Sequence, residues 1–114
     1  MTELKTREID QLVRAAAEAR DQAYAPHSHF YVGASLWLPG GEIVGGCNVE
    51  NASYSLSICA ERVATSTAVA QGHRQFQAIA IASVGGVSPC GACRQFLSEF
   101  GIDLQVIMAD VLTG

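Results

Sequence analysis

The sequence has 114 residues, of which 49% are hydrophobic and 16% are charged, and its formal net charge at pH 7 is −4. The length fits a single domain over residues 1–114, and the composition excludes intrinsic disorder, which needs low hydrophobicity and high net charge. Eleven acidic residues against seven basic ones argue against nucleic acid partners, and no apolar run approaches the roughly 18 residues of a membrane span. So little charge also predicts a surface partly covered by further copies of the chain.

Hydrophobic periodicity and turn residues predict seven elements, three helices and four strands. In chain order they are a helix over residues 7–24, a hairpin of strands Phe30–Leu38 and Glu42–Val49, a helix Ser57–Gln71 closed by Gly72, a strand Ala78–Val84, a helix from Ser88 to Gly101, and a strand Leu104–Met108. This order predicts an α/β fold in which helices pack on a sheet and the two later crossovers are parallel and right-handed.

The four cysteines are expected to be thiols or metal ligands, because nothing at the start of the chain marks a secretory signal and the cytoplasm is reducing. Cys90 and Cys93 lie one turn apart at the start of a predicted helix, where the helix dipole stabilises thiolates. On spacing alone this pair is a zinc half-site, a redox pair or two buried cysteines.

Cys59 begins the preceding predicted helix, so Cys59, Cys90 and Cys93 could meet at one sheet edge and leave a fourth metal position. Two alternatives stay open. If Cys47 fills that position, the site is a closed structural zinc site; if water fills it, the site is open and catalytic. Glu61 is then either the proton acceptor for that water or a carboxylate that only favours the helix dipole.

These motifs resemble those of the small, homotetrameric, zinc-dependent cytidine deaminases. The resemblance is carried by Cys59-Ala60-Glu61-Arg62 with Pro89-Cys90-Gly91-Ala92-Cys93, and by the segments Ala23–Pro26, Val32–Ala34 and Gly46–Tyr54. The motif C-x-E with P-C-x-x-C is a variant of the zinc-deaminase pattern that has cysteine as the first ligand. The resemblance implies a three-layer α/β/α fold with a mixed central sheet flanked by helices.

It also implies hydrolytic deamination of cytidine and 2′-deoxycytidine to uridine and 2′-deoxyuridine, with release of ammonia, in pyrimidine salvage in the cytoplasm. Cys59, Cys90 and Cys93 would bind one Zn²⁺ per chain, and an activated water would attack C4 of the base with Glu61 as proton shuttle. The other implied site residues contact substrate or support the metal. Phe30 would stack on the base, and the Ala60 backbone would position it. Asn48 and Glu50 would bind the ribose hydroxyls, and Arg62 would donate to a thiolate. Ala52 and Tyr54 would reach into a neighbouring subunit's site.

The sequence differs from the family pattern in three respects. The segment between Ser83 and Pro89 is shorter than in many relatives, and His27 and Tyr31 replace a tyrosine and a proline. The chain is also expected to lack the C-terminal segment of the family, so that either the sequence is truncated or the pocket is more open than in relatives. Two other functions stay as alternatives: deamination of another cytosine-like nucleoside, including a nucleoside antibiotic, and a non-catalytic zinc domain that stabilises an assembly.

Overall fold

The structure is a computed structural model that describes residues 4–53, 56–84, 99 and 105–110. These residues form two helices and four strands, which are α1 (Thr6–Arg20), β1 (Gly33–Trp37), β2 (Ile43–Cys47), α2 (Ala60–Ala70), β3 (Ala78–Ser83) and β4 (Gln105–Asp110). The predicted helix from Ser88 to Gly101 lies outside the described residues. Neither α1 nor α2 has the length and hydrophobicity that crossing a bilayer needs.

The four strands form one mixed sheet in the order β2-β1-β3-β4. β1 is antiparallel to both β2 and β3, whereas β3 and β4 are parallel. The predicted hairpin is therefore confirmed, and β2 and β3 run in the same direction on either side of β1. α2 connects these two strands, as the sequence predicts for a parallel crossover.

One helix packs on each face of the sheet, which gives the α/β/α layers that the resemblance implies. α1 contributes Leu12 and Ala16 to a core that includes alternate residues of β3, whereas α2 contributes Ala60, Ala64 and Ala68 to a core on the opposite face. β3 is buried along its whole length, which explains its continuous apolar sequence.

Helix α1 is shorter than the periodicity predicts, since it ends at Arg20 and not at residue 24. The reason is a long-range pairing that the pattern does not contain. The N–H of Tyr24 donates to the carbonyl O of Asn48 at 3.0 Å, and the carbonyl O of Tyr24 accepts from the N–H of Glu50 at 2.8 Å. The chain at Tyr24 therefore extends the sheet. α2, in contrast, ends as predicted before Gly72, whose φ of 100° suits glycine.

The carboxyl ends of β2 and β3 lie at the same edge of the sheet. Cys47 of β2 and Ala82 of β3 both pair with Gly33, the first residue of β1. Because α2 follows β2, and Pro89-Cys90 follows Ser83, the two predicted half-sites both follow strands that end at this edge. Such an edge is where α/β folds place their sites.

Candidate active site at the start of helix α2

Cys59 directly precedes α2 and has the extended backbone of an N-cap residue, with φ −73° and ψ 153°. Its half-buried side chain lies where the first helical N–H groups favour a thiolate. The start of the helix is fixed by Ile58, which exchanges two backbone hydrogen bonds with Val49 at 2.8 and 2.9 Å. The prediction that Cys59 begins this helix is confirmed.

Glu61 lies in the first turn of α2 and is only 5% exposed. A carboxylate removed from water costs free energy unless other groups compensate, so this burial separates Glu61 from an ordinary exposed first-turn acid. The preceding residue, Ala60, is fully buried, and its N–H belongs to the turn whose donors have no acceptor within the helix. A buried carboxylate and a backbone donor thus lie directly beside Cys59.

Arg62 is half-buried and turns back toward the start of its own helix. Its Nη2 donates to the carbonyl O of Ser57 at 3.3 Å, two residues before Cys59. The guanidinium is therefore held beside the segment that presents the cysteine. Donation from Arg62 to a thiolate stays a prediction.

Asn48 supports the loop that carries Phe30. Its Oδ1 accepts from the N–H of Val32 at 3.0 Å, and its Nδ2 donates to the carbonyl O of Phe30 at 2.9 Å. The predicted strand Phe30–Leu38 begins only at Gly33, because the N–H of Val32 and the carbonyl O of Phe30 bind the side chain of Asn48 and not a neighbouring strand. The ring of Phe30 is 40% exposed and is available for stacking.

Glu50 supports the same loop two residues further along. Its Oε1 accepts from the N–H groups of His27 and Ser28 at 3.0 and 3.1 Å, and its Oε2 accepts from the hydroxyl of Ser28. The Ser28 hydroxyl is the main cause that holds the pKa of Glu50 below its usual value. Sequence reasoning missed Ser28, although serine close after a proline is typical of turns, where its hydroxyl bonds nearby backbone groups.

Ala52 lies in an exposed turn in which Ser53 N–H donates to Asn51 Oδ1 at 2.9 Å and Asn51 N–H donates to Ser57 Oγ at 3.0 Å. Such side-chain bonds fix the shape of a turn. Tyr54 lies outside the described residues, and the contact of both residues with another subunit stays a prediction.

Cys90 and Cys93 also lie outside the described residues, so the structure does not test their meeting with Cys59. Accordingly, residues 4–53, 56–84 and 105–110 contain no group of three potential metal ligands. The described part fits zinc in the chemistry of its side chains: a half-buried thiol at a helix N-terminus is a zinc ligand type, and the buried carboxylate two residues later can accept a proton beside it.

Cys47 lies on the wrong face of the sheet to complete a closed site with Cys59. A Cβ added to the adjacent Gly46 would point into α2, 2.4 Å from the N of Ala64. Because side chains alternate along a strand, Cys47 points to the opposite face, where α1 packs. Burial raises the pKa of the Cys47 thiol. Such a thiol packs as a small apolar side chain does. The geometry therefore argues against the closed four-cysteine alternative.

Three comparisons identify the family. The family model described as the cytidine and deoxycytidylate deaminase zinc-binding region matches residues 6–109. The cytidine deaminase of Sporosarcina psychrophila is 48% identical over 95 residues, which cover 82% of this chain and 70% of that protein. The probable cytidine deaminase of Dictyostelium discoideum is 46% identical over 103 residues, covering 88% and 69%.

A solved structure agrees with the sequence relatives. The crystal structure of cytidine deaminase from Burkholderia pseudomallei superimposes with a TM-score of 0.87 at 43% identity, covering 96% of this chain and 88% of that one. The sheet order and the helix on each face are therefore those of a known enzyme fold. Because sequence and fold agree over most of its length, the chain belongs to the zinc-binding cytidine and deoxycytidylate deaminase family.

Proposed function

We propose that this chain catalyses the hydrolytic deamination of cytidine and 2′-deoxycytidine to uridine and 2′-deoxyuridine, with release of ammonia. The observation that carries the proposal is the buried carboxylate of Glu61 two residues after Cys59, at the start of α2. Cys59, Cys90 and Cys93 would hold one zinc ion per chain, which when bound supplies the Lewis acidity that lowers the pKa of a water molecule to about 7.

Glu61 moves two protons in this reaction. Its carboxylate takes the first proton from the attacking water and gives it to N3 of the pyrimidine, while the water oxygen bonds to C4. It then transfers the remaining hydroxyl proton to the amino group on C4, the C4–N bond breaks, and ammonia leaves. The product carries a carbonyl at C4 and a proton on N3. A carboxylate held in one orientation by burial suits such a relay.

The neighbouring residues bind and orient the nucleoside. Phe30 offers an exposed ring for stacking on the base, and the first-turn backbone at Ala60 offers a hydrogen bond to it. Asn48 and Glu50 bind ribose hydroxyls through the donor and acceptor sites that the loop does not use. Arg62 offsets part of the charge of three thiolates, because these would otherwise weaken the pull of the metal on water.

The assembly is proposed to be a homotetramer in which Ala52 and Tyr54 complete a neighbouring subunit's pocket. Ala52 lies in an exposed turn that follows Glu50, which is a suitable place for a contact between subunits. A cytoplasmic role in pyrimidine salvage agrees with the proposed substrate.

The decisive test follows the fall in ultraviolet absorbance as cytidine becomes uridine. In the zinc-loaded protein, Glu61→Gln should lower kcat by about 10²- to 10⁴-fold because the amide cannot accept the proton, while zinc content stays at one ion per chain. Glu42→Gln is the matched control, since Glu42 is exposed on the hairpin turn, and it should keep the wild-type rate.

Wild-type turnover in Glu61→Gln would end the assignment of the proton shuttle. If the wild-type protein holds zinc but converts neither cytidine nor deoxycytidine, the proposed substrate is wrong. The same assay with other cytosine-containing nucleosides then separates a deaminase of different specificity from a structural zinc domain.

A further inference from the structure

The hydroxyl of Ser28 contacts two residues that the proposed function assigns to the substrate. It donates to Oε2 of Glu50 and accepts from the backbone N–H of Phe30 at 3.0 Å. The N–H of Ser28 donates to the other carboxylate oxygen, Oε1, at 3.1 Å. One small residue thus connects the group proposed to bind ribose with the residue proposed to stack on the base.

The loop around Ser28 is held in a single conformation from several sides. His29 has a φ of 57°, a left-handed conformation that few residues other than glycine adopt, and its N–H donates to the carbonyl O of Ala25 at 2.9 Å. The turn at His29 is what allows the Ser28 hydroxyl to reach the N–H of Phe30. Asn48 binds the carbonyl O of Phe30 on the other side. Turns in which several contacts hold an unusual backbone conformation are typical of functional loops.

Counting acceptor sites shows what Glu50 has left for a ligand. An ionised carboxylate offers about four lone-pair sites. Oε1 uses two of them for the N–H groups of His27 and Ser28, and Oε2 uses one for the Ser28 hydroxyl. The site that the described residues leave open is therefore on Oε2, the oxygen whose position the Ser28 hydroxyl sets.

We propose that Ser28 is a positioning residue for nucleoside binding, whose hydroxyl aims the remaining Oε2 acceptor of Glu50 at a ribose hydroxyl and ties that carboxylate to Phe30. This inference rests on the proposed function. The same hydroxyl lowers the pKa of Glu50, which keeps the carboxylate ionised and strengthens its hydrogen bond to a sugar hydroxyl.

The test compares cytidine with 2′,3′-dideoxycytidine, which lacks the 2′- and 3′-hydroxyls that Glu50 is proposed to bind and keeps only the 5′-hydroxyl. Ser28→Ala should raise the KM for cytidine roughly three- to tenfold, the cost of one misplaced hydrogen bond to a charged group, and change kcat by less than about twofold. The KM for dideoxycytidine should hardly change. The preference for cytidine over the dideoxy substrate should therefore fall by the same factor.

Two variants make the result specific. Ser28→Thr keeps the hydroxyl and should restore the wild-type preference. Ser66→Ala removes an exposed hydroxyl from α2 and should leave both KM values unchanged. Should Ser28→Ala not fold, the Thr variant is compared with wild type for binding of the product, uridine, and of 2′,3′-dideoxyuridine by calorimetry, where an equal preference is expected.

The outcomes separate the two proposals. A wild-type enzyme that turns over neither substrate and binds neither product contradicts the proposed function itself. An active wild type with a Ser28→Ala variant that keeps its preference for ribose hydroxyls, or loses the same factor on both substrates, overturns the role of Ser28. A fall in preference that Ser28→Thr fails to restore also overturns it, because the hydroxyl is then not the cause. In the calorimetric comparison, a lost preference in Ser28→Thr overturns it likewise.

Discussion

Cys47 and Cys59 lie within twelve residues of each other in the chain, but on opposite sides of the sheet. Cys59 directly precedes α2, which follows β2 at the edge where β2 and β3 end, whereas Cys47 points toward α1 and burial raises the pKa of its thiol. A raised pKa keeps a thiol protonated, and metals bind the thiolate. Of these two cysteines, Cys59 is therefore the one with the surroundings of a ligand.

This difference predicts the zinc content of two matched variants. Cys59→Ala should lose most of its zinc, because two of the three proposed ligands cannot hold the ion as tightly as three. Cys47→Ala should keep one ion per chain, because no ligand is lost. Atomic absorption after gel filtration measures both, and an equal loss of zinc from the two variants would revive the closed four-cysteine site.

The sequence predicted the chemistry of single residues better than their supporting contacts. Cys59 at a helix start and Glu61 two residues later follow from local pattern, and the structure adds the burial of Glu61. The support that Asn48 and Glu50 give to the Phe30 loop was not predicted. It depends on the left-handed backbone at His29, a conformation that glycine alone adopts routinely and that the sequence around His29 does not predict.

At the scale of elements, the contact between α2 and β2 positions the site. Gly46 of β2 has no side chain, and this lets the helix approach the strand closely. A Cβ at this position would lie 2.4 Å from the N of Ala64, 2.7 Å from its Cα and 3.0 Å from the carbonyl O of Ala60. These are backbone atoms, so only a shift of the helix could relieve the overlap. That helix carries Cys59 and Glu61 in its first turn.

We therefore expect Gly46→Ala to lower the free energy of unfolding by about 1–3 kcal/mol through overpacking and to reduce kcat, because the first turn of α2 moves. Gly45→Ala is the matched control in the same strand. Its Cβ would point at α1, 3.4 Å from the Cβ of Ala19, which is an ordinary contact. Urea unfolding and the absorbance assay compare the two variants, and equal effects in both would contradict the proposed role of Gly46.

The predicted elements agree with the observed ones where the signal is local and differ where a distant segment intervenes. The boundaries of α2 and β3 differ from prediction by a few residues at most. The apolar face and the cap determine the boundaries of α2, and the continuous run of buried residues determines those of β3. α1 ends four residues early because Tyr24 pairs with the segment that follows β2. When two segments pair although more than twenty residues of chain separate them, neither segment carries a periodic signal of that pairing.

At the scale of the whole molecule, the sheet order brings the site together. The sequence predicted which segments are strands, but not that β1 lies between β2 and β3. Strand order depends on how helices pack on the two faces, and this is a property of the complete chain. Because β1 lies between them, the carboxyl ends of β2 and β3 lie at one edge of the sheet, and α2 with Cys59 follows β2 at that edge.

Apolar side chains remain exposed beside this edge. Tyr24, Val49 and Ile58 are 57, 38 and 43% exposed, and they belong to three adjacent segments, because Tyr24 pairs with Val49 and Val49 pairs with Ile58. Directly paired residues present their side chains on the same face. A continuous apolar surface of this kind is typical of a face that another subunit covers.

We expect the protein to have four times its chain mass of 12.0 kDa in light scattering at micromolar concentration. Val49→Lys places a charge in the centre of the apolar surface and should shift the mass toward smaller species, since burying an unpaired charge in an interface is costly. Ile43→Lys is the matched control: Ile43 is similarly exposed, at 37%, but begins β2 at the opposite end from Cys47. An assembly built on this surface would be contradicted by a wild-type protein with the mass of one chain, or by an equal loss of mass in both variants. Dissociation of the Val49→Lys variant alone would support pockets that are shared between subunits beside Ala52.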